Sequence, residues 1–279
     1  MWIYYSSGVL VVAAVIYLFL IFPVKPQKAD YQKFSGHSYA HRGFHDNEAG
    51  PSENTSEAFV LAGQHNYGIE LDVQLTKDKK VVVFHDADLK RSSGIDRRVL
   101  DIEYEELKEI QVFGTGRIPL FSEVLELTEK GLPIIVEIKS EGGREWVNET
   151  CLLAYGLLKD YTGLYCVESF DPVAVGWFKK NAPHVVRGQL SMSRKKYEGA
   201  VKPLPAFLLQ NLMLNFVSRP HFIAYDHEDN CLSLKLSKVF KAMIIRWTVK
   251  NQKRQDELQS ESDGIIFEGY TPEPVWKHR

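Results

Sequence analysis

Two acidic residues stand one strand-step apart in Gly68-Ile69-Glu70-Leu71-Asp72-Val73. On a β-strand residues i and i+2 face the same way, so Glu70 and Asp72 project into one space, as a strand does when it offers carboxylates to a divalent cation. The run Ile134-Ile135-Val136-Glu137-Ile138-Lys139 repeats the device with a carboxylate and a cation on one face. Two histidine segments flank the acidic strand, His41-Arg42-Gly43 before it and Phe84-His85-Asp86 after it. Carboxylate oxygens suit a hard cation, Mg2+ or Ca2+. Arg42 and Lys139 suit the oxygens of a phosphate group. His41 and His85 can exchange protons near neutral pH. Each residue has a plainer reading when taken alone: the carboxylates as ion pairs or caps, His41 as a packing residue, Arg42 as a surface ion-pair former, Lys139 as a snorkelling side chain at the core edge. Their common placement favours a site.

The elements that must position them follow from periodicity. Short β-branched or aromatic runs alternate with helical stretches, and the strand candidates are Ser38–Ala40, Gly68–Val73, Ile134–Lys139, Leu164–Ser169, Val185–Arg187, Phe222–Tyr225, Met243–Thr248 and Gly264–Phe267. Eight strands with helices between them predict an α/β fold, a parallel (β/α)8 barrel of TIM type, as one domain over residues 37–279. Val81–Phe84 is a ninth run, and polar Thr76-Lys77-Asp78-Lys79 is too short a link for a helical crossover. It reads as a hairpin-like excursion that returns His85 to the site. Nearly all the chemical residues then lie at carboxyl ends of strands, where barrel enzymes gather their active sites.

The same residues, with others in order along the chain, carry a family likeness. His41-Arg42-Gly43, Glu53-Asn54-Thr55, Glu70-Leu71-Asp72-Val73, His85-Asp86, Glu137-Ile138-Lys139, Ser169-Phe170-Asp171, Trp247-Thr248-Val249 and Asp263-Gly264-Ile265-Ile266 closely resemble the glycerophosphodiester phosphodiesterase family. The likeness covers about residues 37–279; a lone His-Arg-Gly is a weak signal, whereas the ordered set is specific. One departure is Ser52, where the family usually has proline before Glu-Asn-Thr, with Pro51 displaced by one. The short interval from His85 to Glu137 resembles the compact members that lack a large insertion there. The resemblance implies hydrolysis of a glycerophosphodiester to glycerol 3-phosphate and an alcohol. It implies one divalent cation on Glu70, Asp72 and Glu137, phosphate contacts from Arg42 and Lys139, and proton transfer by His41 and His85. It also suggests that the attacking oxygen is the substrate's own glycerol hydroxyl, through a cyclic phosphate. The residues alone leave open that route or direct attack by water, and which histidine is the base.

Around this set, Glu53 and Asp86 are placed to orient an imidazole or a cation-bound water. Asn54 either contacts substrate or opens the helix Ser56–Gln64 as its cap. Trp247 walls the glycerol or alcohol moiety, or packs in the barrel. A lysophospholipase D acting on membrane lysophospholipids would use the same catalytic residues and would need an apolar channel. A reading from another class is a catalytically silent, membrane-tethered phospholipid-binding barrel; the complete set of three carboxylates and two histidines weighs against it.

Composition bounds the partners. Lys+Arg 34 against Asp+Glu 36 gives a net charge of −2, so no basic field recommends nucleic acid. Cys151, Cys166 and Cys231 are widely spaced with no Cys-x-x-Cys pair, which reads as free thiols in a reducing compartment. The 21 residues Trp2–Phe22 hold no charge and no proline, and as a helix would reach about 31 Å. They predict a single transmembrane anchor in the lipid bilayer, with residues 1–36 as anchor and tether. Lys25, Lys28 and Lys33 follow the span, which places the catalytic domain in the cytoplasm. After the fifth strand, Ser193-Arg194-Lys195-Lys196 and Lys202 precede an apolar stretch, residues 205–216. That segment reads as an ordinary barrel helix or as a basic, apolar flap that touches lipid.

Overall fold

The structure, a computed structural model, describes residues 2–128 and 131–274, with side chains from Gly8 onward. Eight parallel strands are present: Ser38–Ala40, Gly68–Leu75, Ile134–Ile138, Tyr165–Ser169, Arg187–Ser191, Phe222–Asp226, Met243–Val249 and Gly264–Phe267. Each pairs with the next, and the first pairs with both the second and the last, Tyr39 opposite Gly68 and opposite Ile266, so the sheet closes into a (β/α)8 barrel. The carboxyl half of the second strand turns outward and takes Val81–Val83 antiparallel, Val73 opposite Val83. That is the expected excursion, and it ends beside the site with His85.

Strand alternation divides the barrel into layers. Ile69, Leu71, Val73, Ile134, Val136 and Ile138 point outward into the core shared with the helices. Their neighbours in sequence point inward: Ile135 and Cys166 join Tyr39, Val186, Phe222, Met243 and Ile245 in an apolar interior. Two residues further along the strands, the same interior row becomes Glu137 and Glu168, which are paired in register. The base of the barrel is therefore dry and the mouth charged, a consequence of the period-2 geometry alone.

Three elements differ from expectation. The fifth strand begins two residues later than the run Val185–Arg187, because its true members, Arg187, Gly188 and Gln189, hide the apolar signal. Burial of those polar groups is tolerated because Arg187 donates to the carbonyls of Ser218 and Arg219 and Gln189 to those of Ser169 and Phe170. Gly188 is required there by close approach, since a Cβ would stand 2.1 Å from the Phe222 ring. Between the second and third strands, Val82, Phe84, Leu89, Val99, Ile102, Leu107, Val112 and Ile118 make a small separate core. Its two-residue strand pairs are too short to show a period.

The stretch from Pro23 to Gly36 is not a free tether. Lys28–Phe34 is a helix whose Phe34 is buried against the barrel interior. Tyr31 Oη donates to Asp263 Oδ1 at 2.6 Å, and Tyr39 Oη donates to the Phe34 carbonyl. Trp2–Ile21 is helical, one residue shorter than the expected span. Among the described residues no helix is long and apolar enough to cross a membrane. All three cysteines are free.

Phe34 closes the apolar base, so Phe34→Ala should destabilise the fold by about 3–5 kcal/mol through lost burial and a cavity. Urea unfolding followed by circular dichroism measures it. A loss under about 1 kcal/mol would mean that the helix merely rests on the barrel.

Candidate active site

The inward row at the mouth brings the acidic residues together. Asp72 stands opposite Glu137 on the adjacent strand, and Glu70, Asp72 and Glu137 offer oxygens that all lie within 4.8 Å of one another. Each is buried. Lys139 Nζ donates to Glu137 Oε1 at 2.9 Å and to Asp72 Oδ1 at 3.3 Å, Asn54 Nδ2 donates to Asp72 Oδ2 at 2.8 Å, and the Arg42 backbone amide donates to Glu70 Oε2 at 3.0 Å. Burial raises the Glu70 carboxyl well above its ordinary range, and the neighbouring Asp72, Glu137 and Glu168 raise it further. Burial also raises Glu137, against the pull of Lys139. Asp72 goes the other way: burial opposes its ionisation, but Lys139, His85 and Arg42 together hold it well below the usual carboxylate range. Four carboxylates thus share the mouth with two close cations, and one of the acids, Asp72, keeps its charge at the expense of the others.

The turn after the first strand sets the imidazole and guanidinium. Arg42 has a positive φ of 55° and Gly43 one of 84°; a Cβ on Gly43 would lie 2.8 Å from Ala58 Cβ, so glycine is needed. This sharp turn lets the Arg42 amide face Glu70 while its guanidinium Nη1 donates to Glu53 Oε1 at 2.7 Å. His41 Nδ1 lies 2.7 Å from Glu268 Oε2, just beyond the eighth strand. His85 Nδ1 lies 2.6 Å from Asp86 Oδ1. A carboxylate on each Nδ1 fixes the tautomer with the proton there and leaves Nε2 as the nitrogen free to exchange one. Arg91 ties the second layer together, donating to Asp86 Oδ2 and to both oxygens of Glu53. Burial and the adjacent Arg42 lower the His41 pKa to about 4 despite Glu268, so the ring is neutral at pH 7. The hydrogen bond from His41 in turn lowers Glu268 to about 2.

These groups line a cavity of about 140 Å3 formed by His41, Arg42, Glu70, His85, Glu137, Glu168, Phe170, Leu190, Trp247, Thr248 and Ile266. Three polar atoms around it are buried without a hydrogen-bond partner: Arg42 Nε, Glu168 Oε2 and Trp247 Nε1. Buried polar atoms are rarely left so, and their convergence marks the place of a polar ligand. The surplus of carboxylates, all oxygen donors, fits a hard divalent cation on Glu70, Asp72 and Glu137. His41, His45 and Glu268 form a second close group of potential ligands, in which His41 Nδ1 is engaged by Glu268. A larger groove of about 990 Å3, lined by Arg144–Leu152 and Val173–Asn181, gathers no comparable set.

His41, Arg42, Glu53, Asn54, Glu70, Asp72, His85, Asp86, Glu137, Lys139 and Trp247 gather at this mouth, whereas Asp263 lies at the other end, before the eighth strand, and accepts from Tyr31 Oη and the Ile244 amide. Asn54 does not cap the helix Ser56–Gln64, whose cap is Thr55; it holds Asp72 instead. Asp86 lies behind the His85 imidazole, whereas Glu53 holds the guanidinium groups of Arg42 and Arg91 rather than an imidazole, and Trp247 stands edge-on to Phe170 at the wall. Sequence reasoning missed Glu168, Glu268 and Arg91. Position alone flags the two acids, since Glu168 precedes Ser169 at the end of the fourth strand and Glu268 follows the last residue of the eighth. Nothing in the local pattern flags Arg91.

The sequence profile of the glycerophosphoryl diester phosphodiesterase family matches residues 41–268. The chain belongs to this family. It is 36% identical over 250 residues to the glycerophosphodiester phosphodiesterase of Caldanaerobacter subterraneus subsp. tengcongensis, covering 81% of this chain and 91% of that one. It is 37% identical over 142 residues to the lysophospholipase D GDPD1 of Rattus norvegicus, covering 44% of this chain and 42% of the relative. The crystal structure of the Thermotoga maritima glycerophosphodiester phosphodiesterase superposes with a TM-score of 0.64 at 26% identity, covering 83% of this chain and 94% of that one. The enzyme class is accordingly that of a glycerophosphodiester phosphodiesterase.

The raised carboxyls yield a test of cation binding that does not read activity. In the cation-free fold Glu70 and Glu137 bind protons more tightly than in the unfolded chain, so their ionisation costs stability as pH rises through and above the usual carboxylate range. A divalent cation held by Glu70, Asp72 and Glu137 would replace those protons. Adding Mg2+ or Ca2+ should therefore raise Tm more at pH 8 than at pH 5, where protons compete for the same oxygens. Asp72→Asn should abolish the shift. An equal shift at both pH values, or one retained in Asp72→Asn, would place the cation elsewhere.

Proposed function

We infer that this chain hydrolyses a glycerophosphodiester to glycerol 3-phosphate and an alcohol with the help of one divalent cation, Mg2+ or Ca2+, held by Glu70, Asp72 and Glu137. The observation that carries this reading is the pair of imidazoles, each with a carboxylate on Nδ1, facing one cavity with the carboxylate cluster. A cation bound there supplies positive charge to phosphate oxygens as negative charge builds in the transition state. Arg42 and Lys139 add fixed positive charge from the chain itself. His41 is neutral at pH 7 and takes a proton from the attacking oxygen at Nε2; the resulting imidazolium is stabilised by Glu268. His85, as the imidazolium held by Asp86 at Nδ1, gives its Nε2 proton to the leaving alkoxide and becomes the neutral ring. Glu53, clamped between Arg42 and Arg91, holds the guanidinium of Arg42 in place. Phe170 and Trp247 form the apolar wall for the alcohol or glycerol carbons.

The N-terminal helix is read as a membrane anchor, residues 1–36 forming the anchor with its docked extension. Lys25, Lys28 and Lys33 after it support a cytoplasmic catalytic domain.

The roles of the imidazoles are separable. His41→Ala and His85→Ala should each lose roughly 10²–10⁴ in turnover on glycerophosphocholine, and the double variant should lose less than their product. A nitrophenyl phosphodiester, whose leaving group needs no proton, should restore His85→Ala and not His41→Ala. The opposite pattern would exchange the two roles, and restoration of neither would dismiss the acid–base pair. Chelation should abolish turnover in every case where turnover remains measurable.

A further inference from the structure

Two contacts fix the direction of the helix Trp2–Ile21 along the barrel. Tyr17 Oη lies 2.8 Å from Ser233 Oγ at the start of the helix Leu232–Val239, and the Phe22 ring lies 4.8 Å from the Phe240 ring at that helix's end. A helix between two parallel strands starts at the carboxyl end of one and returns to the amino end of the next, so Ser233 marks the mouth side and Phe240 the base. The two pairs occur in the same order, and the N-terminal helix therefore runs from mouth to base. Its base-side anchors agree: Asn215 donates to the Ile21 carbonyl, Arg219 to those of Phe19 and Phe22, and the Val24 amide to Pro220, all just before the sixth strand. Only the base-side end has a buried face, with Ile21 at 0% exposure and Tyr17 half-buried, while every residue from Gly8 to Ile16 is exposed. The exposed, uncharged stretch Gly8–Ile16 thus leaves the barrel on the side of the catalytic mouth.

A second exposed apolar patch lies on that side. The helix Pro203–Gln210 is held over the carboxyl ends of the fifth and sixth strands, its Leu209 carbonyl accepting from Ser191 Oγ and its Gln210 carbonyl from Tyr225 Oη. Leu204 is 67% exposed and Phe207 44%. Beside them Arg194, Lys195 and Lys202 are exposed and enter no ion pair among the described residues, whereas Lys196 is engaged by Asp226 and Glu228. Below the patch, Tyr197 packs edge-on against Phe170, which packs on Trp247 at the cavity wall. Exposed apolar side chains ringed by unpaired cations, next to an uncharged helix that points the same way, match the acyl boundary and anionic surface of a bilayer.

We propose that residues 193–210 form an interfacial surface seated on the membrane that holds the N-terminal helix. The catalytic mouth then opens on to the bilayer and takes a membrane-resident lysophospholipid, with its acyl chain directed toward Phe170, Leu190 and Trp247. The proposal rests on the phosphodiesterase reading above, and the two are tested by different substrates. The full chain is reconstituted into phosphatidylcholine vesicles containing phosphatidylglycerol, and choline release is measured from lysophosphatidylcholine in the bilayer and from glycerophosphocholine in solution. The double variant Leu204→Glu, Phe207→Glu changes only exposed positions, and flotation with vesicles together with an unchanged Tm verifies its anchoring and fold. It should lose roughly tenfold or more on the bilayer substrate, the worth of removing two apolar side chains from lipid, and nothing on glycerophosphocholine. Arg194→Glu, Lys195→Glu, Lys202→Glu should erase the gain that phosphatidylglycerol gives the bilayer substrate alone. Equal activity of wild type and both variants on the two substrates would overturn the surface, as would a wild type that hydrolyses glycerophosphocholine but not the lysolipid. A wild type inactive on both would instead remove the phosphodiesterase reading.

Discussion

The mouth of this barrel is organised by one electrostatic constraint: Glu70, Asp72 and Glu137 are buried with oxygens within 4.8 Å of one another, and buried Glu168 stands beside Glu137 on the next strand. Ionised carboxylates at such separation repel strongly in a medium less polar than water, so the cluster must recruit positive charge or give up ionisation. It does both. Lys139 and Arg42 are drawn in and hold Asp72 charged, while Glu70, Glu137 and Glu168 are pushed toward the protonated form. A compact dication that took the place of two protons there would relieve this repulsion. The unpartnered Glu168 Oε2 is a further sign that the protein alone does not satisfy the site.

The second layer follows from the first. An imidazole placed beside so many acids would ordinarily be held protonated, which would spoil it as a base. His41 escapes this because burial and Arg42 oppose its charging more than Glu268 favours it. Arg42 therefore has two effects that pull together: it offsets acid at the cluster and it keeps the neighbouring ring neutral. That dual effect depends on the tight turn at Arg42 and Gly43, which points the amide at Glu70 and the side chain at Glu53. Replacing the turn by an ordinary extended connection would separate the two contacts even with every side chain present.

Strand positions were legible because a barrel strand in this chain is either a solid apolar run or an alternation with acids inside, and both stand out against polar helical stretches. The fifth strand was misplaced because Arg187 and Gln189 are satisfied by carbonyls of neighbouring elements, a tertiary compensation that leaves no trace in local periodicity. The same reason hid Arg91, whose partners Glu53 and Asp86 lie 38 and 5 positions away. Glu70, Asp72 and Glu137 were readable as a set because their inward facing is dictated by the backbone, whereas Glu268 acts through a contact with His41 across 227 positions that only barrel closure creates. The docked helix Lys28–Phe34 was taken for a tether because its polar residues dominate the composition, while a single phenylalanine and one tyrosine hydroxyl hold it to the base.

The layering also separates stability from chemistry in space. The apolar interior, Phe34, Tyr39, Phe222 and Met243, fills the base, so the charged mouth can carry its electrostatic cost without being the part that holds the sheet together. The connection between the fifth and sixth strands stands apart from both. Ser191 and Tyr225 hold it at Leu209 and Gln210, yet Leu204 and Phe207 just before them face outward and contribute little to packing. A helix held at its carboxyl end with apolar side chains facing away from the core is inexpensive to alter without disturbing the carboxylates or the imidazoles. The surface proposed for this connection is thereby built from residues separate from the carboxylates and imidazoles of the mouth, so either set can change without altering the other.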